Sequence, residues 1–179
     1  MTRVLVAGIV TLAALTGCSG ESAEPTTSTS QTAAVSAAPS PMSRDAAARR
    51  YLELTCAYNP VNGEWSAALD AYTGEPGSAT PDNLRELSAR YATVATDYAQ
   101  ALQDPAYPWP YEVMSPVTEW AVSVYSRAAY ANALAQPDST WELAPMTTLS
   151  GDSAARIRLG LGLGPAGTGC DSITPNAQS

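Results

Sequence analysis

The feature that most constrains the fold is a stripe of large apolar side chains that recurs every three or four residues. The stripe consists of Leu84, Leu87, Tyr91, Val94, Tyr98 and Ala101. This spacing places one apolar face along an α-helix, and such a face has to pack against another element. In front of it, Thr80, Pro81 and Asp82 supply a cap, a first-turn proline and an acid. Asp104 and Pro105 predict the end of the helix.

Similar patterns predict further helices on both sides of this stripe. One helix should begin after Ser43 and run to about Tyr58, where Asn59 and Pro60 should break or kink it. Proline at position 116 should lie in the first turn of a later helix. The other segments that we expect to be helical are residues 61–74, 116–136, 137–143 and 154–161.

The expected fold class is therefore all-α. No alternating run is long enough to predict a β-strand, and the connections between the helical segments are short. Such a pattern favours an up-and-down helical bundle with about four main helices plus short ones. The bundle should occupy residues 43–175, and residues 176–179 should form a disordered C-terminal tail.

The first 17 residues have the pattern of a secretory signal peptide. Arg3 precedes an uncharged apolar run that ends at Leu15 and is too short for a permanent membrane span. The tetrapeptide Leu15-Thr16-Gly17-Cys18 then matches a bacterial lipobox, in which the cysteine is diacylated and becomes the mature N-terminus. Cleavage of an ordinary secreted protein nearby is the alternative, but it leaves Cys18 without a role. We therefore predict a lipid-anchored protein on the extracytoplasmic face of the cell membrane.

Residues 18–42 contain the lipidated cysteine and a segment rich in Ser, Thr, Ala and Pro. Val35 is the only side chain of large apolar size between residues 19 and 41, so this segment cannot bury enough surface to fold. We expect it to be a disordered tether between the membrane anchor and the bundle.

The cysteine count agrees with this organisation. The chain has three cysteines, and lipidation of Cys18 leaves the pair Cys56 and Cys170. An exported chain meets oxidising surroundings, so these two residues should form a disulfide that staples the C-terminal tail to the bundle.

Charge and composition exclude several functions. The net charge is −8, and seventeen acidic residues face nine basic ones, so nucleic acid is not an expected partner. The chain contains no histidine, which removes histidine-based triads, metal sites and acid–base pairs. No cofactor or metal site is predicted.

Carboxylates are the remaining candidates for acid–base chemistry. Glu53, Asp97, Glu112 and Glu119 could hold a raised pKa in a pocket, as a glycosidase requires, but no spacing singles out a pair. Solvated helix faces explain these acids more simply. The sequence therefore predicts no catalytic residues and a protein that is not an enzyme.

Two glycine-containing motifs have better structural than chemical explanations. Residues 162–167 match G-x-G-x-x-G, but a predicted helix precedes them where a dinucleotide site needs a strand. Gly151-Asp152-Ser153 resembles an esterase block whose serine needs a histidine, so we expect Asp152 or Ser153 to cap the last helix.

The turn at residues 104–112 contains the candidate binding residues, namely Tyr107, Trp109, Tyr111 and Glu112. Rigidly held rings beside an acid suit the recognition of a sugar or peptide. The simpler alternative is that Tyr107, Trp109 and Tyr111 fold inward and close the end of the bundle.

Arg127 falls within the apolar stripe of its helix. If it were buried it would need a carboxylate partner, for which Asp97 and Glu53 are the candidates. We favour the alternative, in which Ala128 points inward and Arg127 lies at the edge of the core.

Several segments together resemble a group of actinobacterial helical lipoproteins. They are residues 50–59, the Tyr107-Pro-Trp-Pro turn, and residues 158–163 followed by a cysteine. The resemblance covers most of residues 44–171 and implies a lipobox, a Ser/Thr/Pro tether, an Ala-rich bundle and two cysteines. It implies fold and location and no catalytic residue.

Two functions from different classes fit these observations. The first is a non-enzymatic binding or scaffolding module that contacts another protein of the cell envelope. The second is a carrier of a small molecule or lipid, which would show as a pocket between the helices.

Overall fold

The protein is described here from a computed structural model that covers residues 39–141, apart from positions 73 and 76, and residues 152–173. Its helices are α1 (Arg44–Ala71), α2 (Asp82–Leu102), α3 (Tyr111–Leu134) and α4 (Asp152–Leu161), followed by a 3-10 turn at Cys170–Ser172. Each helix packs on the next one along the chain, and α1 also contacts α4. The predicted all-α bundle is confirmed. The signal peptide, Cys18 and most of the tether lie outside the described residues.

Helix α1 begins as predicted but does not break at Asn59 and Pro60. The Ser43 hydroxyl accepts a hydrogen bond from the backbone N–H of Ala46 at 3.3 Å. The helix then continues through Pro60 to Ala71, so of the two predicted alternatives, a break or a kink, the break is wrong. Proline removes the hydrogen bond to the carbonyl four residues earlier and crowds that carbonyl with its ring, at a cost of about 3 kcal/mol. Burial of Tyr58 and Trp65, one on each side of the proline, holds both halves of α1 on the same core.

The start of α2 also differs from the prediction. No side chain caps this helix, and the hydroxyl of Thr80 is buried without a hydrogen-bond partner among the described residues. The backbone N–H of Thr80 donates instead to the carbonyl of Ser139 at 3.2 Å. This pairing belongs to an isolated antiparallel bridge between Ala79 and Thr140, which holds the α1–α2 loop against the chain that follows α3.

That bridge explains why no helix opens at Pro137. Residues 135–138 form turns and bends, and the Ser139 hydroxyl donates to the carbonyl of Leu134 at 2.7 Å. The prediction of a helix over 137–143 is therefore wrong for its described part, and residues 142 and 143 lie outside the description. Helix α3 begins at Tyr111, directly after Pro110, so Pro116 lies in its second turn and not in its first turn as predicted.

The predicted disulfide is present between Cys56 in α1 and Cys170 in the C-terminal segment. The two α-carbons are 5.6 Å apart although 114 positions separate them in sequence. The bond holds the segment after α4 against the middle of α1. The last predicted helix, which should begin at Asp152 or Ser153 and end near Leu161, is confirmed as α4.

Buried tryptophans mark both ends of the bundle. At one end Trp109 packs beneath the α2–α3 turn, and the N–H of Met42 donates to the carbonyl of Pro108 at 2.8 Å. At the other end Trp141 packs with Leu84 and Leu134 in a small second core. The main core between these ends consists largely of alanine, valine and aromatic side chains.

Candidate functional site

A ladder of aromatic rings joins α1 to α2 through the centre of the bundle. The rings of Tyr58 and Tyr98 stack with their centroids 4.5 Å apart, and those of Trp65 and Tyr91 stack at 4.0 Å. Tyr58 and Tyr91 meet at 6.0 Å and link the two pairs. All four residues, which we call the ring ladder, are buried. Because the rings fill the space between the helices, ligand-accessible space lies outside this part of the core.

Every polar atom of the ring ladder has a hydrogen-bond partner. The Tyr58 hydroxyl donates to Asn62 Oδ1 at 3.0 Å and lies 2.8 Å from the Tyr91 hydroxyl. The remaining bonds are Thr55–Tyr98 at 3.1 Å, Trp120 Nε1 to Tyr98 at 3.0 Å and Trp65 Nε1 to Ser88 at 3.0 Å. A fully satisfied network of this kind specifies one arrangement of the core.

The same burial determines the protonation state of the ladder. Desolvation raises the pKa of Tyr58 and of Tyr98 well above the ordinary value of a phenol. Desolvation also raises the pKa of Tyr91. These phenols therefore stay protonated at neutral pH and act as structural hydrogen-bond groups rather than as bases.

Arg127 lies at the edge of this ladder, as predicted. Ala128 is buried in its place, and Arg127 is half-buried. Its Nη2 donates to Ser66 Oγ at 3.1 Å, and its guanidinium carbon lies 5.4 Å from the centroid of Trp65. Neither Asp97 nor Glu53 pairs with it. The contact with the ring face is a cation–π interaction that takes the place of a carboxylate partner.

The ring ladder reaches the surface in a cleft of about 350 Å³ between α1 and α2. Tyr58 and Tyr98 line this cleft although both are buried, so their rings form its base. The side walls are the apolar side chains Leu54, Ala57, Val94 and Ala101. We call this feature the α1/α2 cleft. Its volume lies at the lower end of the range of small-ligand sites.

Two carboxylates line the α1/α2 cleft, one from each helix. Glu53 comes from α1 and Asp97 from α2, and both are exposed. Neither makes an ion pair or hydrogen bond with the described residues. Of the four acids that the sequence suggested for acid–base chemistry, the structure brings these two together. These two carboxylates add negative charge to a cleft that has apolar walls and aromatic residues at its base.

A second depression runs between α2 and α3. It measures about 580 Å³ and meets the α1/α2 cleft at Asp97, which lines both. Apart from Asp97 and Tyr125, its lining residues are Ala, Thr and Asn: Ala89, Ala92, Thr93, Thr96, Ala128, Ala129 and Asn132. Small side chains of this kind reflect the close packing of two helices and provide few groups for recognition.

The turn at residues 104–112 divides the predicted binding residues. Trp109 is buried, with 6% of its surface exposed, and its Nε1 donates to the carbonyl of Leu102 at 2.6 Å. Tyr107 and Tyr111 are 46% and 78% exposed, so the expectation that all three rings fold inward is wrong for these two. The guanidinium of Arg50 lies 3.8 Å over the Tyr107 ring. Glu112 is exposed.

Asp152 and Ser153, one of which was expected to cap the last helix, both lie inside α4, in its first turn. Ser153 is buried near the start of α4, and its hydroxyl donates to Glu119 Oε2 at 3.0 Å. Ser115 also donates to Glu119 at 2.9 Å, and Arg156 pairs with it. Hydrogen bonds from Ser115 and Ser153 hold the pKa of Glu119 below its ordinary range. A general acid needs the opposite shift.

The G-x-G-x-x-G segment wraps around a buried arginine. The Nε of Arg158 donates to the carbonyl of Gly164 at 2.6 Å, and its Nη2 donates to the carbonyl of Thr168 at 2.9 Å. Gly162 and Gly167 have φ angles of 71° and 84°, which glycine adopts without strain. The loop thus turns carbonyl oxygens inward, whereas a phosphate site would need N–H groups.

Other kinds of site are not seen in the described part of the chain. There, no group of three or more His, Cys, Asp or Glu side chains is placed to hold a metal ion. No helix in residues 39–141 or 152–173 has the length and apolar character needed to cross a membrane. Comparison with protein-family models, curated proteins and solved structures found no match for this chain.

The cleft walls were missed from the sequence. Leu54, Ala57, Val94 and Ala101 fit ordinary helical stripes, and nothing local distinguishes a residue that lines a cleft from one that lies under another helix. One feature of the sequence does point to the cleft. On each helix an acid lies four residues before an alanine, Glu53 before Ala57 and Asp97 before Ala101, so the two side chains share a face.

Proposed function

We propose that this protein is a non-enzymatic binding module of the cell envelope, anchored to the extracytoplasmic face of the membrane through Cys18. The observation that supports binding is the α1/α2 cleft, an open depression with an aromatic base, apolar walls and two carboxylates that have no ion-pair partner among the described residues. The signal peptide pattern and the lipobox support the location. The bound component is proposed to be another protein of the envelope.

The filled interior of the described bundle supports binding on its outer surface rather than carriage of a ligand in an internal pocket. A carrier needs a space between helices that its own side chains leave empty. In the described core that region is occupied by the stacked pairs Tyr58–Tyr98 and Trp65–Tyr91. Binding therefore uses the outer surface of the bundle, where the cleft is open to solvent.

Site-specific photo-crosslinking in the native host tests this proposal. A photoreactive amino acid at Ala57, which is exposed in the cleft, should give an adduct with one defined envelope protein. The matched control is the same amino acid at Ala133, an exposed alanine of α3 that does not line the cleft. Equal adducts from both positions, or none from position 57, would contradict the proposal.

A further inference from the structure

We infer that the α1/α2 cleft receives an arginine side chain from a peptide segment of its partner, an inference that rests on the proposed function. An arginine has an apolar stem of three methylene groups and a planar cation at its end. The cleft offers the complement of both parts, since its walls are apolar and its open side holds carboxylates.

The walls and base favour a side chain over a hydrated ion. Leu54 and Ala57 face Val94 and Ala101 across the cleft, and the rings of Tyr58 and Tyr98 lie beneath them. A metal ion would gain nothing from apolar walls, because hard cations prefer several oxygen ligands. An alkyl stem, in contrast, is stabilised by the removal of its surface from water.

The carboxylates favour a cation at the end of that stem. Glu53 and Asp97 come from different helices and have no cationic partner among the described residues. A guanidinium has five N–H donors in one plane and therefore reaches two carboxylates at once, which an ammonium point charge does less well. The net charge of −8 also attracts a basic segment and repels an anionic membrane surface.

Two contacts inside the protein show the same recognition chemistry. The Arg50 guanidinium lies 3.8 Å above the Tyr107 ring, and that of Arg127 lies 5.4 Å from the Trp65 centroid. Both arginines thus rest against aromatic faces at the edges of this bundle. An incoming arginine would likewise lay its stem against apolar and aromatic side chains of the α1/α2 cleft, with two carboxylates added.

Methyl NMR titration of the mature lipidated protein in nanodiscs tests the inference directly. The probe is a blocked peptide of sequence Ala-Leu-Arg-Leu-Ala, and the control peptide has citrulline, an uncharged isostere, in place of arginine. The arginine peptide should shift the methyl signals of Leu54, Ala57 and Val94. The citrulline peptide should bind about tenfold more weakly than the arginine peptide, because two exposed charge pairs together contribute about that factor to the affinity.

Variants of the cleft provide the matched controls. Glu53→Gln and Asp97→Asn should each weaken binding of the arginine peptide by a few-fold and leave the affinity for the citrulline peptide unchanged. Ala57→Trp should fill the cleft and abolish both interactions. Glu86→Gln removes one equivalent charge from an exposed residue of α2 that does not line the cleft and has no ion pair within the described part of the chain, and it should have no effect.

The outcomes separate this inference from the proposed function. Equal binding of the arginine and citrulline peptides would overturn the inference, as would an equal effect of Glu86→Gln and Asp97→Asn. If the arginine peptide does not bind while crosslinking from position 57 persists, the arginine inference fails and the binding module stands. Loss of the defined crosslink as well would refute the proposed function itself.

Discussion

The hydroxyl groups of Tyr58 and Tyr91 lie 2.8 Å apart inside the bundle, and the direction of the bond between them follows from a neighbour. Tyr58 donates its single proton to Asn62 Oδ1. Tyr91 must therefore be the donor in the Tyr58–Tyr91 bond. The two tyrosines are consequently not equivalent, although both are buried and both belong to the ring ladder.

This asymmetry predicts different costs for two conservative substitutions. Tyr58→Phe leaves the buried Tyr91 hydroxyl without an acceptor and should lower the free energy of unfolding by about 1–3 kcal/mol. Tyr91→Phe leaves Tyr58 bonded to Asn62 and should cost only about 0.5–1.5 kcal/mol. Urea unfolding with an unchanged m-value measures both. Equal costs, or a larger cost for Tyr91→Phe, would refute the assigned bond direction.

Burial of the tyrosines also predicts an alkaline limit to stability. The folded-state pKa values of Tyr58 and Tyr98 are raised above the unfolded value of 10.0. The unfolded chain therefore loses these protons first as the pH rises, and stability that is complete below pH 10 is lost above it. Each such tyrosine contributes a slope of about 1.4 kcal/mol per pH unit in this range.

Urea unfolding between about pH 8 and about pH 11 measures this slope. Tyr98→Phe removes one of the raised groups and should make the alkaline loss of stability shallower than in the parent protein. If the variant and the parent lose stability with the same slope, Tyr98 is not a source of the alkaline limit.

The helices that were predictable from sequence are those whose apolar spacing is unambiguous. Leu84, Tyr91 and Tyr98 lie on one face of α2, and all three are buried as their spacing indicated. Pro60 shows where a local rule fails. The rule that proline ends a helix takes no account of tertiary packing, and the buried residues on both sides of Pro60 keep α1 continuous.

The α1/α2 cleft could not be predicted in the same way. Its existence depends on how far apart α1 and α2 lie around Ala57 and Ala101, which is decided by the stacking of Tyr58 on Tyr98 beneath them. Helical periodicity indicates which side chains point inward but not which pairs of helices meet. The disulfide was predictable because counting cysteines in a chain that is expected to be exported requires no geometry.

The predicted lipid anchor has a simple genetic test. Cys18→Ala should remove the acylated residue, so the protein should appear in the medium or remain as an unprocessed precursor in the membrane fraction. Fractionation and mass measurement of the N-terminus distinguish these products. A Cys18→Ala protein that still fractionates as a mature, membrane-bound form would contradict the lipobox assignment.

Removal of the disulfide should destabilise the bundle strongly. The bond closes a loop of 114 positions, for which the chain-entropy model gives about 4–5 kcal/mol. The double variant Cys56→Ala/Cys170→Ala should therefore unfold at much lower urea concentration than the parent. Non-reducing peptide mapping of envelope-derived protein should show the linked peptides. Two alkylatable thiols in that protein would contradict the bond.

The turn between α2 and α3 offers a matched pair of aromatic substitutions. Trp109 is 6% exposed and donates to the Leu102 carbonyl, so Trp109→Ala both opens a cavity and leaves that carbonyl without this donor. The expected loss is about 3–5 kcal/mol in the free energy of unfolding, together with loss of a buried, blue-shifted emission component.

Tyr111, only two residues away and 78% exposed, is the control. Tyr111→Ala should change stability by no more than about 0.5 kcal/mol, because it removes no buried contact. If Tyr111→Ala is as costly as Trp109→Ala, the turn closes the bundle through both rings and the burial described here is wrong. If Tyr111→Ala leaves stability unchanged but weakens the crosslink from position 57, the exposed rings of this turn extend the binding surface beyond the α1/α2 cleft.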